Sequence, residues 1–482
     1  MSKIKVNFVY NIALTLSTYV INLIVFPYVS RVLGVELIGR IGFVDNVITY
    51  FSLFSTLGIV TVGVREIAAC GDDFRKRSEV FSGLLTLLLY ATVIVIAVFL
   101  LAVLLIPKFA EYKILLLIGT SQLFTSSLLL EWLYQGVENF RYITIRNILV
   151  KIIYAILVII LVQDRDDYIL YYVLTVSVVV INAAINFRQS RNYVKFVYLP
   201  GSWKIFLKPM LSLGVYRVLV SMYTTFNVIF LGFVCSEIEV GYYYTSIKLF
   251  TIFIGVISAF TTVVMPRMSS FLAEGETEMF KNTVNSSLEI IFAVAIPLIV
   301  YCFSLAPEII YAISGEGYEG AITPMRIVVF NVLFVGMAQI WVLQILMPMK
   351  KDKVVLWGSI IGAIVGAIAN ILLVARYGAI GSAIVLILAE VAGDICSFYY
   401  VLKKRIIDFP IKKLGVTIIL AIPFYPLCLL AQQLTLNVFI TLIFAAIFCA
   451  IYFLILHKYI LNEGYIHNYM ENTFPHKRFV DK

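Results

Sequence analysis

The sequence predicts an all-α integral membrane protein that crosses the bilayer about fourteen times, and three observations carry that expectation. Of its 482 residues 62% are hydrophobic and only 13% are charged, with a mean hydropathy of +0.99. That is more apolar surface than one soluble core can hide. The apolar residues also come in runs of about 20, the length at which a helix crosses the hydrocarbon. Finally, the runs are continuous and do not alternate in ten-residue segments. An unpaired backbone group in hydrocarbon costs several kcal/mol, so such runs must be helices and a barrel is excluded.

Taken in chain order, the first six spans are placed at 8–29, 41–64, 80–106, 113–136, 143–162 and 168–187. Six more follow at 209–234, 241–265, 286–306, 321–347, 354–374 and 379–402, and two at 414–431 and 436–456. The first run is long and lacks a small-residue cleavage pattern, so it is read as helix one and not as a cleavable leader. With the amino end cytoplasmic, the inner loops collect Arg75 to Arg77, Arg188 to Lys208, Lys350 to Lys353 and Lys403 to Lys413. The outer loops hold Arg31, Arg40, Lys108, Lys113, Arg165 and Arg376. Lys and Arg in short loops stay on the cytoplasmic side, so both termini are expected there.

The net charge of +9 therefore reflects topology. It is no nucleic-acid footprint, because the basic residues alternate with spans and form no single face. The six cysteines lie singly, mostly within apolar runs, without CxxC or zinc spacing, and read as packing residues. His457, His467 and His476 all sit in the carboxyl tail, so a His-based triad or metal centre within the bundle is excluded by inventory, and no cofactor is expected. No loop exceeds about 20 residues, which leaves no room for a soluble domain. Whatever the protein does, its membrane helices do.

A weak internal repeat is visible. Gly39 and Arg65 match Gly241 and Arg267 at an offset of about 202, and Trp132 and Gln135 match Trp341 and Gln344 at about 209. With the helix count dividing as six, six and two, the plan is a first lobe at 1–188 and a basic linker at 189–208. A second lobe follows at 209–402, and a helix pair with a tail at 403–482.

The same residues carry a family likeness. Asn7-Phe-Val-Tyr-Asn11 followed by Phe26-Pro-Tyr-Val-Ser-Arg-Val-Leu-Gly34 resembles the start of a bacterial polysaccharide flippase of the O-antigen and repeat-unit type. Arg65-Glu-Ile-Ala with Asp72-Asp73, and Glu131-Trp-Leu-Tyr-Gln-Gly-Val-Glu138 with Phe140, continue the match. The second half adds Met265-Pro-Arg-Met-Ser269, Tyr318-Glu-Gly-Ala, Pro324-Met-Arg-Ile327, Met347-Pro348 before Lys351-Asp-Lys353, and Gly378-Ala-Ile-Gly381 ahead of Ala389-Glu390. The likeness departs at Lys350, where the pattern leads to Gly, and fades in the last two helices and the tail. It implies membership of the larger group that includes multidrug and toxin exporters, with two six-helix lobes around a central cavity. It also implies export of an undecaprenyl-diphosphate-linked oligosaccharide from the cytoplasmic to the periplasmic leaflet of the inner membrane. The exported unit would then pass to a polysaccharide polymerase and a chain-length regulator.

Such cargo needs a polar route bearing fixed cations, so charges inside spans are the candidates. Arg217 lies ~12 Å from the inner end of its span and Lys248 ~10 Å from the outer end, at 1.5 Å per residue. Arg326 lies early in its span, and Arg31 and Arg40 stand at outer helix ends. The blander reading is that each snorkels to an interface or pairs with a carboxylate. Arg suits a diphosphate through its bidentate fork and Lys as a point charge, so these five are the candidate substrate-binding cations. Asp45, Glu131, Glu289, Glu390 and Asp394 are the intramembrane acids. Glu390 and Asp394 are four apart on one helical face, where two like charges in low dielectric offer one as a proton carrier; the alternative is that the acids neutralise the arginines. Two rival functions remain in view. A multidrug exporter of the same fold would want an acidic cavity for organic cations, against which the deep Arg and Lys argue. A membrane polymerase or ligase would want a sizeable outer loop with catalytic groups, and no nucleophile and base arrangement is recognisable.

Overall fold

A computed structural model describes residues 3–459 except Tyr198 and Leu436; His467, His476 and the rest of the tail lie outside the described residues. Among the described residues all regular structure is helical. In chain order the helices of the first part are α1 (Lys3–Thr56), α2 (Ile59–Ala68), α3 (Phe74–Leu105), α4 (Pro107–Ala110), α5 (Lys113–Ser126), α6 (Glu131–Gly136), α7 (Phe140–Leu161) and α8 (Tyr168–Ser190). Next come α9 (Lys204–Ser221), α10 (Thr225–Val234), α11 (Glu237–Glu274), α12 (Thr277–Ser304), α13 (Ala306–Ser314), α14 (Ile322–Val328) and α15 (Asn331–Gln339). A π-helical segment, Ile340–Leu346, precedes α16 (Asp352–Ala369), and a second, Asn370–Val374, precedes α17 (Ala375–Lys403). The chain continues through α18 (Ile411–Ala421), α19 (Phe424–Leu434) and α20 (Val438–Tyr459).

Among the described residues ten helices are long and apolar enough to cross a membrane, or up to 11 if the pair α9 and α10, bent by 46°, counts as one span. Two of these runs, Ala13–Ala68 and Asp352–Lys403, are 56 and 52 residues long. At 1.5 Å per residue each would reach roughly 80 Å as a straight helix, more than twice the hydrocarbon thickness. Neither is straight. Within α1, Gly34 has φ 77° and ψ 169°, and within α17, Gly378 has φ 54° and ψ −129°. An L side chain is strained in both conformations, so a single glycine turns the chain where a loop was expected. Pro27, Pro209, Pro266 and Pro297 lie inside helices.

The described parts of the chain form two compact units that do not follow chain order. The first comprises Met1–Thr245, Ile313–Tyr318 and Gly366–Val385. Its core joins α2, α3, α6 and α9, where Trp132 stacks on Phe81 at 5.7 Å and Leu84, Leu133, Phe206 and Met210 close around them. The second comprises Ser246–Ala312, Glu319–Val365 and Leu386–Lys482. There Trp341 meets Phe398 at 5.6 Å and Phe409 at 6.3 Å, while the backbones of Gly358 and Gly393 pack against each other. In both units long apolar side chains face outward, among them Val93, Ile94, Leu104, Ile153, Ile371 and Ile443. Such a surface would aggregate in water and matches acyl chains, which agrees with a multi-pass membrane protein.

The Trp-bearing helices of the two repeats end alike. Asn139 N–H donates to Tyr134 O at 2.8 Å with Glu138 at φ 59°, and Lys351 N–H donates to Leu346 O at 2.8 Å with Lys350 at φ 55°. Both are Schellman endings, whose left-handed position normally takes glycine. The residue at which the family pattern leads to Gly thus stands where the backbone favours one.

Candidate functional site

Of the residues matched by the repeat, Gly39 and Gly241 meet in the first unit. A side chain on Gly39 would drive into Glu237 O and lie 2.7 Å from Gly241 N, and one on Gly241 would drive into Val35 O. At the offset of 202, Val35 corresponds to Glu237 and Gly39 to Gly241. Residue 39 therefore touches 237 while 241 touches 35, the reciprocal pattern of a contact about a two-fold axis. No side chain separates these backbones. The contact joins α1, from the first half of the sequence, to the start of α11, from the second.

Charged and polar groups close the same seam. Arg40 grips Glu237 with both forks, Nε to Oε1 at 3.1 Å and Nη2 to Oε2 at 3.3 Å, and its guanidinium lies 5.9 Å from the rings of both Tyr112 and Tyr168. Tyr318 donates to Ser30 O at 2.9 Å, and Ser30 Oγ donates to Ile313 O at 3.3 Å. The helix breaks are held by charge as well. Arg165 lays its guanidinium over Gly34, where a Cβ would sit 2.5 Å from Nη2, and the Glu239 carboxylate covers Gly378 while accepting the Ala379 N–H at 2.7 Å. Each break thus has a charged side chain laid over it, and at Gly378 that side chain accepts a freed backbone N–H.

The other predicted residues fall as follows. In the first unit Arg31 is exposed and donates to Pro27 O at 3.0 Å, Arg217 is exposed on α9, and Asp45 is half-buried on α1. In the second unit Lys248 is half-buried on α11, and so is Glu289 on α12. Arg326 donates to Phe303 O at 3.1 Å with its guanidinium 5.4 Å from the Phe303 ring. Glu390 and Asp394 share a face of α17, and Asp394 Oδ2 is buried without a hydrogen-bond partner among the described residues.

Four charged residues escaped the sequence reading. Glu237 and Glu239 lie in the segment whose only part in the repeat is Gly241. Arg146 and Lys151 lie inside the fifth predicted span, where the depth criterion that picked out Arg217 also finds them. Arg146 is 5% exposed and pairs with Glu131 through Nη2 at 3.1 Å, while its Nε and Nη1 meet no hydrogen-bond partner among the described residues. Lys151 donates to Thr18 Oγ1 at 2.6 Å and makes no ion pair among the described residues. One carboxylate therefore faces two cations on α7, which leaves positive charge in an apolar helix pair.

Comparison with known proteins places these features in a wider set. Residues 4–272, more than half of the chain, match the family model described as "Polysaccharide biosynthesis protein". The chain is 22% identical over 354 residues to a "Putative O-antigen transporter" of Escherichia coli (strain K12), covering 72% of this chain and 84% of that protein. It is 25% identical over 399 residues to a "Putative O-antigen transporter" of Shigella dysenteriae, covering 78% and 94%. Among solved structures it is similar to "Lipid II flippase MurJ, inward closed conformation", with a TM-score of 0.77 at 16% identity over 94% of this chain and 100% of that one. It is also similar to the inward-facing conformation of "a multidrug resistance MATE family transporter of the MOP superfamily", with a TM-score of 0.59 at 16% identity over 81% and 96%. At these identities the solved structures establish the fold.

Proposed function

We propose, from the premise that the chain belongs to the polysaccharide biosynthesis protein family, that it flips an undecaprenyl-diphosphate-linked oligosaccharide repeat unit from the cytoplasmic to the periplasmic leaflet of a bacterial inner membrane. The chain is a membrane transporter of the lipid-linked polysaccharide class, not an enzyme, and its relatives are named accordingly. The reciprocal seam around Gly39 and Gly241 carries the mechanistic part of the proposal. It gathers the segments that the distribution of Lys and Arg assigns to the outer side, and alternating access requires that such a junction part and reform.

Several finer assignments belong to the same proposal. The lobes are 1–188 and 209–402 about the linker 189–208. Ala13–Ala68 and Asp352–Lys403 each cross twice, turning at Gly34 and Gly378, and both termini are cytoplasmic. Arg217 and Lys248 contact the anionic head group at successive stages. Arg31, Arg40 and Arg326, held here by Pro27, Glu237 and Phe303, reach cargo only when those contacts change. Asp394, with its unpartnered oxygen, is the candidate coupling group alongside Glu390 and Asp45, whereas Glu131 is engaged by Arg146. Moving negative charge outward runs with an inside-negative potential, worth ~2.3 kcal/mol per charge per 100 mV, so the voltage alone favours export. A polysaccharide polymerase and a chain-length regulator would then receive the unit.

An organic-cation cargo, the runner-up, would meet like charge at Arg217, Lys151 and Lys248. The test is reconstitution into vesicles preloaded with lipid-linked oligosaccharide, following access of an external glycosidase to the glycan. Wild type should expose it faster than protein-free vesicles, and Arg217→Ala should slow it. Equal rates with and without protein would end the proposal.

A further inference from the structure

The segment that joins the two halves of the sequence has a chemistry that transport does not use. Residues 188–208 contain five cations, Arg188, Arg191, Lys195, Lys204 and Lys208, and no acidic residue. All five are exposed. Among them Phe196 and Ile205 are 54% and 71% exposed, and Val197 and Leu199 are also exposed. Water alone would not suit four large apolar side chains, and hydrocarbon alone would not suit five cations. The two sets are compatible where acyl chains give way to phosphate head groups.

The segment is also held in place. Lys195 N–H donates to Ser78 Oγ at 3.0 Å and Val197 N–H to Ser82 Oγ at 2.8 Å, so two serines one turn apart on α3 take alternate backbone donors from the linker. Arg77 Nε donates to Tyr193 O at 2.9 Å, and Val194, Phe206 and Met210 are buried in the core of the first unit. With one face tied down, the opposite face is presented in a fixed arrangement. Trp203 sits edge-on to Tyr90 at 5.7 Å, with the Lys204 ammonium 5.9 Å from its ring, an aromatic and cationic pairing suited to the head-group level.

We propose that residues 188–208 form an interfacial anchor that recognises the anionic phospholipids of the surrounding bilayer, with Arg191, Lys195, Lys204 and Lys208 engaging phosphate head groups while Phe196, Val197, Leu199 and Ile205 enter the acyl boundary. This does not rest on the identity of the cargo. Trp203 reports on it directly. Trp357 is exposed and is removed by Trp357→Phe, while Trp132 and Trp341 are buried and give a background measured with Trp203→Phe added. The full-length protein is reconstituted with dibrominated phosphatidylglycerol or dibrominated phosphatidylcholine at matched mole fraction, and quenching is compared. Phosphatidylglycerol should quench Trp203 about fivefold more strongly at low salt, the enrichment expected of a single cation beside an anionic surface. The advantage should shrink as salt is added to the unmodified linker and vanish when Arg191→Gln, Lys195→Gln, Lys204→Gln and Lys208→Gln are combined. Equal quenching by the two lipids, quenching by neither, or a preference that survives both salt and the combined substitution would each overturn the proposal.

Discussion

Adding one methyl group at Gly39 should hold the transporter open on the side where the seam lies. The Cβ would meet Glu237 O and Gly241 N, and backbone atoms cannot retreat by changing rotamer. The helices must separate, at the usual overpacking cost of ~1–3 kcal/mol. In a state where the seam has parted the methyl meets nothing, so the cost falls almost wholly on the closed state. Taking ~2 kcal/mol, the closed-to-open ratio drops about 30-fold, enough to turn a one per cent minor state into roughly a quarter of the molecules. Spin labels at Glu36→Cys and Ile238→Cys, both exposed and related by the same 202-residue offset, would read this in a background with the native cysteines replaced. Gly39→Ala should add a long-distance population to a short one. Because the contact is reciprocal, Gly241→Ala should do the same. An unchanged distance distribution in both variants, with thermal stability also unchanged, would show that the backbones do not cross this closely.

Three further outcomes are expected. The Arg40 and Glu237 side chains are 30% and 18% exposed, so solvent discounts their pairing, and a double-mutant cycle on thermal unfolding should give a coupling of about 1 kcal/mol; coupling within experimental error of zero would remove the pair from the seam. At the Arg146 and Glu131 pair the effects should be unequal. Arg146→Met leaves a carboxylate that is 34% exposed and able to find water, whereas Glu131→Gln strands a guanidinium that is 5% exposed, so Glu131→Gln should cost more, about 3 kcal/mol, in chemical denaturation. Lys350→Gly should stabilise by roughly 0.5 kcal/mol, read as a small rise in melting temperature, because left-handed strain is relieved at an exposed position while unfolded-chain entropy offsets part of the gain. Lys351→Gly, one residue on, should not stabilise.

The helices were legible because hydrocarbon permits little else. The predicted spans at 80–106, 143–162 and 168–187 correspond to Phe74–Leu105, Phe140–Leu161 and Tyr168–Ser190. The breaks were harder to see. A loop was expected between 29 and 41, but α1 runs on to Thr56 and turns at Gly34 alone, since one glycine in a conformation closed to other residues does the work of a loop. Likewise the predicted span 113–136 is interrupted before Glu131, with Leu130 at φ 50°, a conformation that no local pattern around a leucine signals. Charge pairing was hidden by distance along the chain. For Arg40 the sequence offers a carboxylate partner as one reading but does not identify it, because Glu237 lies 197 residues away. The glycine crossing, by contrast, was latent in the repeat, since matched residues that lie beside a two-fold axis, as Gly39 and Gly241 do, are brought together by it.

The wide helical turns on either side of α16 have a consequence for how the chain tolerates change in length. In Ile340–Leu346 the ladder steps from Val342 O to Met347 N at 2.9 Å, five residues on instead of four. Such a turn carries one residue more than an α-helix would, like slack wound onto a spool. Deleting a single residue there lets the ladder revert to the tighter pitch without displacing the turn that follows, while the same deletion within α16 would rotate everything after it by roughly 100°. Natural length variation among relatives should therefore collect at these two turns and be absent from the helix between them.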